Sequence, residues 1–163
     1  MTVAVFDIDG VVADVRHRVH HVEGRWKDWD SFFETADEDP LLEVGAALVH
    51  DLAQQHDIVW LTGRPEWLRR TTRTWLEDAG LPSDSLNMRP HHDYRPARFY
   101  KLDRLRAIHS AADGGIAAFV DDDPDVIDVA LAAGFPAQLA EWVPRNAKTA
   151  ATMREIQEKL GRT

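Results

Sequence analysis

Two groups of aspartates, each at the end of a short apolar run, are the residues of this sequence best suited to chemistry. Asp7 and Asp9 close the first run, and three consecutive aspartates, 121–123, close a later one. Crowded carboxylates repel one another unless a cation lies among them. Carboxylate oxygens suit a hard divalent ion such as Mg²⁺, which takes one or two of them together with waters and a substrate phosphate. One carboxylate of such a group could also attack phosphorus while a second transfers a proton.

These acids must be positioned by the elements that precede them. Apolar runs rich in β-branched residues predict buried strands, and a short further strand is expected near the end of the chain. The predicted strands are 3–8, 58–61, 116–120 and about 137–139. Apolar periodicity, prolines at helix starts and glycines at helix ends predict the helices. They cover 41–55, 65 to about 79, about 97–112, 124–133 and about 149–160, the last of them peripheral.

Strands that alternate with helices predict an α/β fold, a Rossmann-like parallel sheet with helices on both faces. We expect residues 1–163 to form a single domain, with a minimal cap insert after the first strand at about residues 14–40. Ligands of such sheets bind beyond the carboxyl ends of the strands. Because the three main strands end in Asp7, Thr62 and Asp121, this edge is the expected site.

Composition narrows the class of protein. The 163 residues include no cysteine, which excludes disulfides and thiolate metal sites. No apolar run approaches the length of a membrane span and no leader sequence is recognisable, so a cytoplasmic enzyme with no membrane partner is expected. The net charge of −9 argues against binding duplex nucleic acid by bulk charge. Residues 64–106, however, carry ten basic and six acidic side chains, which indicates either a phosphate-facing surface or a solvated helix face.

Four segments in order resemble the motifs of the haloacid dehalogenase (HAD) superfamily of phosphohydrolases. They are FDIDGVVAD at 6–14, WLTGR at 60–64, a lone lysine in a helix at 101, and AFVDDDPDVI at 118–127. The resemblance implies that Asp7 is a nucleophile that forms an aspartyl-phosphate and that Asp9 is the general acid and base. It also implies that Thr62 binds the phosphoryl oxygens and that Lys101 neutralises them.

The same resemblance implies how Mg²⁺ would be held. Its ligands would be Asp7, the main-chain carbonyl of Asp9 and an acid after the later strand. Asp122 is the first choice for that acid and Asp121 the second, while Asp123 is expected to cap the next helix.

Within the superfamily, the chain resembles the phosphatase domain of polynucleotide kinase/phosphatase, which removes 3′-phosphates from nucleic-acid ends. The matching features are Arg16-His17-Arg18, the Thr62-Gly63-Arg64 triplet and the double aspartate. The resemblance implies that Arg18 and Arg64 contact the substrate phosphate or the phosphodiester chain. Ala97 stands where that family carries an acid one turn before its lysine, so Asp93 or Asp103 would have to substitute.

Three functions stay open at this point. The first is removal of a 3′-phosphate from a nucleic-acid end, and the second is a 5′(3′)-nucleotidase acting on free mononucleotides, which Val11 also suits. The third is a non-catalytic binding module that kept the fold. The small insert would leave an open crevice for a polymer end, where Trp26 and Trp29 either stack on bases or pack within the cap. The oligomeric state cannot be predicted from the sequence.

Overall fold

A computed structural model describes residues 1–163 of the chain. Its centre is a five-stranded parallel sheet with the strand order β3-β2-β1-β4-β5. The strands are β1 (Val3–Phe6), β2 (Asp57–Pro65), β3 (Leu86–Arg89), β4 (Ile116–Asp121) and β5 (Ala137–Leu139). This arrangement confirms the predicted α/β fold with a Rossmann-like parallel sheet.

Six α-helices accompany the sheet. They are α1 (Trp29–Glu34), α2 (Glu43–Leu52), α3 (Arg69–Asp78), α4 (Ala97–Ala111), α5 (Pro124–Ala132) and α6 (Ala147–Arg154). Short 3₁₀ segments lie at Arg16–Val22, Thr35–Glu38 and Glu66–Leu68, and a π-helical turn at Glu155–Lys159 continues α6. None of the helices is long and apolar enough to cross a membrane.

The central strand β1 shows why both faces of the sheet are covered. Ala4 and Phe6 belong to the larger apolar core, whereas Val3 and Val5 point into a second core on the opposite face. Alternate side chains of a strand point to opposite faces, so an unbroken apolar run is buried on both sides. The VAVF sequence therefore favours the centre of a parallel sheet, which is where it lies.

The structure around β2 differs from the sequence predictions. The strand β3 was not predicted, because it is only four residues long and alternates Leu86 and Met88 with polar residues at the sheet edge. Pro65 does not open a helix; it ends β2 in extended conformation, and a 3₁₀ turn precedes α3. As a result Thr62 lies within β2 and not at its end.

The predicted peripheral position of the last helix is wrong. Met153 and Ile156 are buried in the larger apolar core, so α6 and the π-helical turn pack against the body of the protein. Gly161 then adopts a positive φ of 56° where the chain passes close to the carbonyl oxygens of Tyr94 and Arg95. A glycine suits this position because the backbone of any other residue would be strained at this φ and its Cβ would collide with these two oxygens. This turn directs the following residues toward the carboxyl edge of the sheet.

Candidate active site

Asp7 and Asp121 lie side by side because their strands are neighbours. Phe6 of β1 is in register with Val120 of β4, and the Asp7 amide donates to the Val120 carbonyl at 2.9 Å. Carboxylate oxygens of Asp7, Asp121 and Asp122 lie within 4.8 Å of one another, and all three residues are buried. The expected cluster of acids at this edge of the sheet is therefore present, and we call these three residues the acid group.

Lys101 reaches the acid group from α4. Its Nζ lies 2.9 Å from Asp7 Oδ2 and 2.6 Å from Asp121 Oδ2. Burial lowers the pKa of Lys101, but the two facing carboxylates outweigh it and raise that pKa, so the ammonium stays charged. Burial raises the pKa of Asp7 well above its usual range, and the Lys101 charge opposes this. Asp7, the candidate nucleophile, and Lys101 thus form a buried ion pair.

Two oxygens of the acid group are suited to bind a metal ion. Asp7 Oδ1 and Asp122 Oδ1 are buried and have no hydrogen-bond partner. Buried carboxylate oxygens without a partner are costly, and a cation satisfies them. Both oxygens of Asp121 are already engaged, by Lys101 and by the Asp123 amide. The donor set fits Mg²⁺, and Asp122 offers it a freer oxygen than Asp121 does.

Asp123 behaves as predicted from the sequence: its side chain caps α5 by accepting from the Asp125 amide at 2.9 Å. The remaining oxygen of Asp122 accepts from the guanidinium of Arg145, a residue that sequence reasoning did not single out. Arg145 precedes α6 by two residues, so the unpredicted packing of that helix also brings this cation to the acid group.

Asp9 faces away from the acid group, toward two arginines. Arg64 donates to Asp9 Oδ1 through Nε at 2.9 Å and Nη2 at 2.6 Å, and Arg18 donates to the same oxygen at 3.2 Å. Burial raises the pKa of Asp9, but the Arg64 and Arg18 guanidinium groups outweigh burial and lower that pKa to about 2. Asp9 is therefore a carboxylate, the form that can accept a proton.

Asp39 joins both arginines from the end of the insert and was missed by sequence reasoning. It accepts from Arg18 Nε at 2.8 Å, from Arg64 Nη2 at 2.8 Å and pairs with His17 Nε2 at 2.7 Å. Asp9, Asp39, Arg18 and Arg64 thus form a closed network of two carboxylates and two guanidinium groups, all buried. The only signal in the sequence is an acid before Pro40, which no spacing rule distinguishes from its acidic neighbours.

Thr62 and Gly63 lie on β2 beside this network, and both are buried. Gly63 has no space for a side chain, since a Cβ there would overlap Thr163. The Thr163 hydroxyl donates to Asp9 Oδ2 at 3.3 Å, and Arg89 Nη2 donates to the main-chain oxygen of Thr163 at 3.4 Å. Thr163 was not predicted to approach the site, because nothing in the sequence links it to β2.

The substitutes expected for the family's acid before Lys101 lie elsewhere. Asp93 and Asp103 both pair with Arg95, at 2.9 and 2.5 Å, and not with the lysine. Asp7 and Asp121 alone are the acids paired with Lys101.

The arginine-rich segment is mostly paired within the chain. Arg69 binds Glu66, Arg95 binds two aspartates and Arg98 binds Glu158. Among the arginines of residues 64–106, Arg70, Arg73 and Arg104 make no ion pair, and Arg104 donates to Asn87 Oδ1 at 2.8 Å. Arg70 and Arg73 on α3 are therefore the free cations of this segment. Trp29 packs on Phe33 with ring centroids 6.1 Å apart, whereas Trp26 is 84% exposed.

The chain resembles known proteins both in sequence and in structure. Residues 1–138 match the family described as "Polynucleotide kinase PNKP phosphatase domain". A chain of the Pnkp1/Rnl/Hen1 complex is similar in structure, with a TM-score of 0.68 and 23% identity over 85% of this chain and 45% of that one. The present chain therefore spans less than half the length of that relative.

Two further solved structures share the fold. The class C acid phosphatase from Bacillus anthracis has a TM-score of 0.63 and 15% identity, over 94% of this chain and 78% of that one. The HAD-hydrolase YfnB from Bacillus subtilis has a TM-score of 0.59 and 14% identity, over 95% and 99% of the two chains. No curated protein matches the sequence.

Proposed function

Because the chain belongs to the family of polynucleotide kinase PNKP phosphatase domains and is a HAD-type phosphatase, we propose that it removes a terminal 3′-phosphate from nucleic-acid ends with the help of Mg²⁺. The observation that carries this proposal is the pairing of Asp7 with Lys101 inside the acid group. A buried carboxylate beside a buried ammonium and a cation-binding donor set is suited to attack on a phosphate dianion.

Asp7 is the proposed nucleophile. Its Oδ2 is held by Lys101, and its Oδ1 has no partner and is free to bond to phosphorus. Attack forms the Asp7 oxygen–phosphorus bond and breaks the bond between phosphorus and the leaving oxygen. Thr62, the Gly63 amide and Lys101 are the proposed contacts of the phosphoryl oxygens.

Asp7, Asp122 and the Asp9 main-chain carbonyl would hold Mg²⁺, with Asp121 as the alternative to Asp122. When bound, the ion supplies positive charge that offsets the clustered carboxylates and the phosphate. The unpartnered oxygen of Asp122 supports this assignment, and Asp7 would contribute Oδ2, the oxygen that does not attack phosphorus.

Asp9 is the proposed acid and base. It takes up a proton from solvent when substrate binds and gives this proton to the leaving oxygen in the first step. In the second step it takes a proton from the water that displaces Asp7 from phosphorus, and it releases that proton to solvent as phosphate leaves, so it returns to the carboxylate form. The two arginines favour its carboxylate form. A phosphate dianion bound beside Arg18 and Arg64 would oppose these guanidinium charges and ease the loading of the proton.

We infer the substrate class from the charges that stay free. Arg70 and Arg73 face solvent on α3 and offer two contacts for a phosphodiester chain. The chain forms a single domain in this proposal, and the insert at about 14–40 serves as its small cap. The internal pairing of the other arginines supports the alternative, a nucleotidase for free mononucleotides, since few cations are left to follow a polymer.

One comparison separates these two substrates. We expect kcat/KM for a 3′-phosphorylated oligonucleotide to exceed that for a free 3′-mononucleotide when both are assayed with Mg²⁺. Equal values would favour the nucleotidase. Phosphate release from a generic aryl phosphate, dependent on Mg²⁺, would exclude a non-catalytic binding module.

A further inference from the structure

The proposed catalytic residues are closed off from solvent. Asp7, Asp9 and Lys101 are each 2% exposed and Thr62 is fully buried. The unpartnered Oδ1 of Asp7, the atom that would attack phosphorus, is itself buried. A phosphate ester cannot reach this oxygen unless something that covers the site moves.

The segment Gly161-Arg162-Thr163 covers the Asp9 and Gly63 side of the site. Thr163 packs directly on Gly63, where it fills the space of the missing side chain, and it is 5% exposed. Its main-chain oxygen accepts from Arg89 at the end of β3, so the segment runs from α6 across the carboxyl ends of β3, β2 and β1.

Arg162 anchors this segment outside the site. Its guanidinium carbon lies 4.7 Å from the ring centroid of Trp29 and 5.3 Å from that of Tyr94. Trp29 comes from the insert and Tyr94 from the loop before α4, so the cation joins the insert to this loop. Cation–π contacts of this kind are modest when exposed, and they can be broken and re-formed.

Thr163 contacts Asp9 as a reaction product would. After the leaving oxygen takes its proton from Asp9, the product is an alcohol whose hydroxyl faces the Asp9 carboxylate. The Thr163 hydroxyl donates to the same carboxylate, at 3.3 Å from Oδ2. That distance is long for a hydroxyl donor, so the contact is weak enough to be exchanged for a substrate.

We propose that residues 161–163 occupy the leaving-group side of the substrate site and that substrate must displace them, so that this segment acts as a built-in competitor. The inference rests on the proposed function, because it identifies the covered site as the site of phosphate transfer. The contacts of Arg162 with Trp29 and Tyr94 then determine how strongly the segment competes with substrate.

The test uses Arg162→Ala in the full chain, with Arg106→Ala as the control for loss of an exposed arginine. With Mg²⁺ and an aryl phosphate, we expect Arg162→Ala to raise kcat/KM by about fivefold, mainly through KM, and the control to match the wild type. Tyr94→Ala removes the same anchor from the other side and should act in the same direction. Since Tyr94 is 51% exposed, this second variant is expected to fold.

A binding measurement separates this inference from the proposed function. Calorimetric titration with inorganic phosphate should show tighter binding to Arg162→Ala and Tyr94→Ala than to the wild type. If no variant turns over a phosphate ester but both bind phosphate more tightly, the segment covers an anion site and the proposed function fails. If the wild type is active and both variants show unchanged or weaker kcat/KM and phosphate binding, the segment is not a competitor.

Discussion

Arg64 donates two hydrogen bonds, of 2.6 and 2.9 Å, to a single oxygen of Asp9. Both residues are buried, and a third contact, from Arg64 Nη2 to Asp39 at 2.8 Å, completes the link to the insert. A planar guanidinium can make these contacts together, whereas an ammonium cannot. The orientation of the Asp9 carboxylate is thus fixed by Arg64, which lies on β2.

The first prediction concerns the hydrogen bonds that Arg64 donates to Asp9 and Asp39. Arg64→Lys keeps the positive charge but cannot hold Asp9 and Asp39 at once, so the Asp9 carboxylate loses its fixed orientation. We expect kcat with an aryl phosphate to fall by about tenfold to a hundredfold while the chain stays folded. Arg106→Lys, a change at an exposed arginine of α4 with no proposed role in the site, is the matched control. Wild-type kcat in Arg64→Lys would show that the Arg64 guanidinium does not position Asp9.

The second prediction concerns Lys101. Lys101→Met leaves Asp7 and Asp121 without their buried counter-charge, and breaking a buried ion pair in this way typically costs about 3–5 kcal/mol. We expect a loss of this size in the free energy of unfolding, measured by denaturant titration in a chelator, together with loss of turnover. Because a cation bound to the acid group would replace part of the lost charge, Mg²⁺ should restore stability but not activity. Unchanged stability in the chelator would contradict the role of Lys101 as a counter-charge.

The third prediction concerns Arg145, which pairs with Asp122 beside the acid group. Its guanidinium competes with any cation that uses Asp122 as a ligand. We therefore expect Arg145→Ala to bind Mg²⁺ several times more tightly in a calorimetric titration. Arg154→Ala is the control, since Arg154 pairs with Asp125, outside the acid group. Weaker Mg²⁺ binding by Arg145→Ala would mean that this arginine supports the metal site.

The fourth prediction concerns stability against pH. Burial, followed by a hydrogen bond with Glu158 and the charge of Asp121, raises the pKa of Asp123 to about 9, above its ordinary value of 3.8. A group whose pKa is raised by folding stabilises the fold at low pH, and this stabilisation is lost as the pH rises toward 9. Asp123→Asn keeps a neutral donor toward Glu158 and does not titrate.

We therefore expect the wild type to lose free energy of unfolding more steeply than Asp123→Asn between about pH 5 and 8, by about 1.4 kcal/mol per pH unit. Denaturant titrations in a chelator measure this difference. Parallel pH profiles of the two proteins would show that Asp123 is ionised in the folded chain.

The sheet and the acid group could be predicted from the sequence because both depend on local patterns. An apolar run such as VAVF followed by Asp7 encodes a buried strand and its functional end in adjacent residues. The same holds for β4 with Asp121 and Asp122. The edge strand β3 escaped prediction because its pairing with β2, and not its own four residues, makes it a strand.

The closure of the site could not be predicted, since it depends on contacts between distant parts of the chain. Asp39 gains its role from two arginines that lie 21 and 25 residues away. Thr163 meets Asp9 across 154 residues, through the packing of a helix whose sequence is weakly amphipathic. Local periodicity carries no information on such pairings.

The central claim is that Asp7 becomes phosphorylated. The most direct measurement is rapid acid quenching of the enzyme during turnover of an excess of phosphate ester, followed by peptide mass spectrometry. We predict one added phosphoryl group on the peptide that contains Asp7, and neither this adduct nor turnover in a folded Asp7→Asn variant. Turnover near the wild-type rate in Asp7→Asn, or a phosphoryl group on a different residue, would contradict the mechanism.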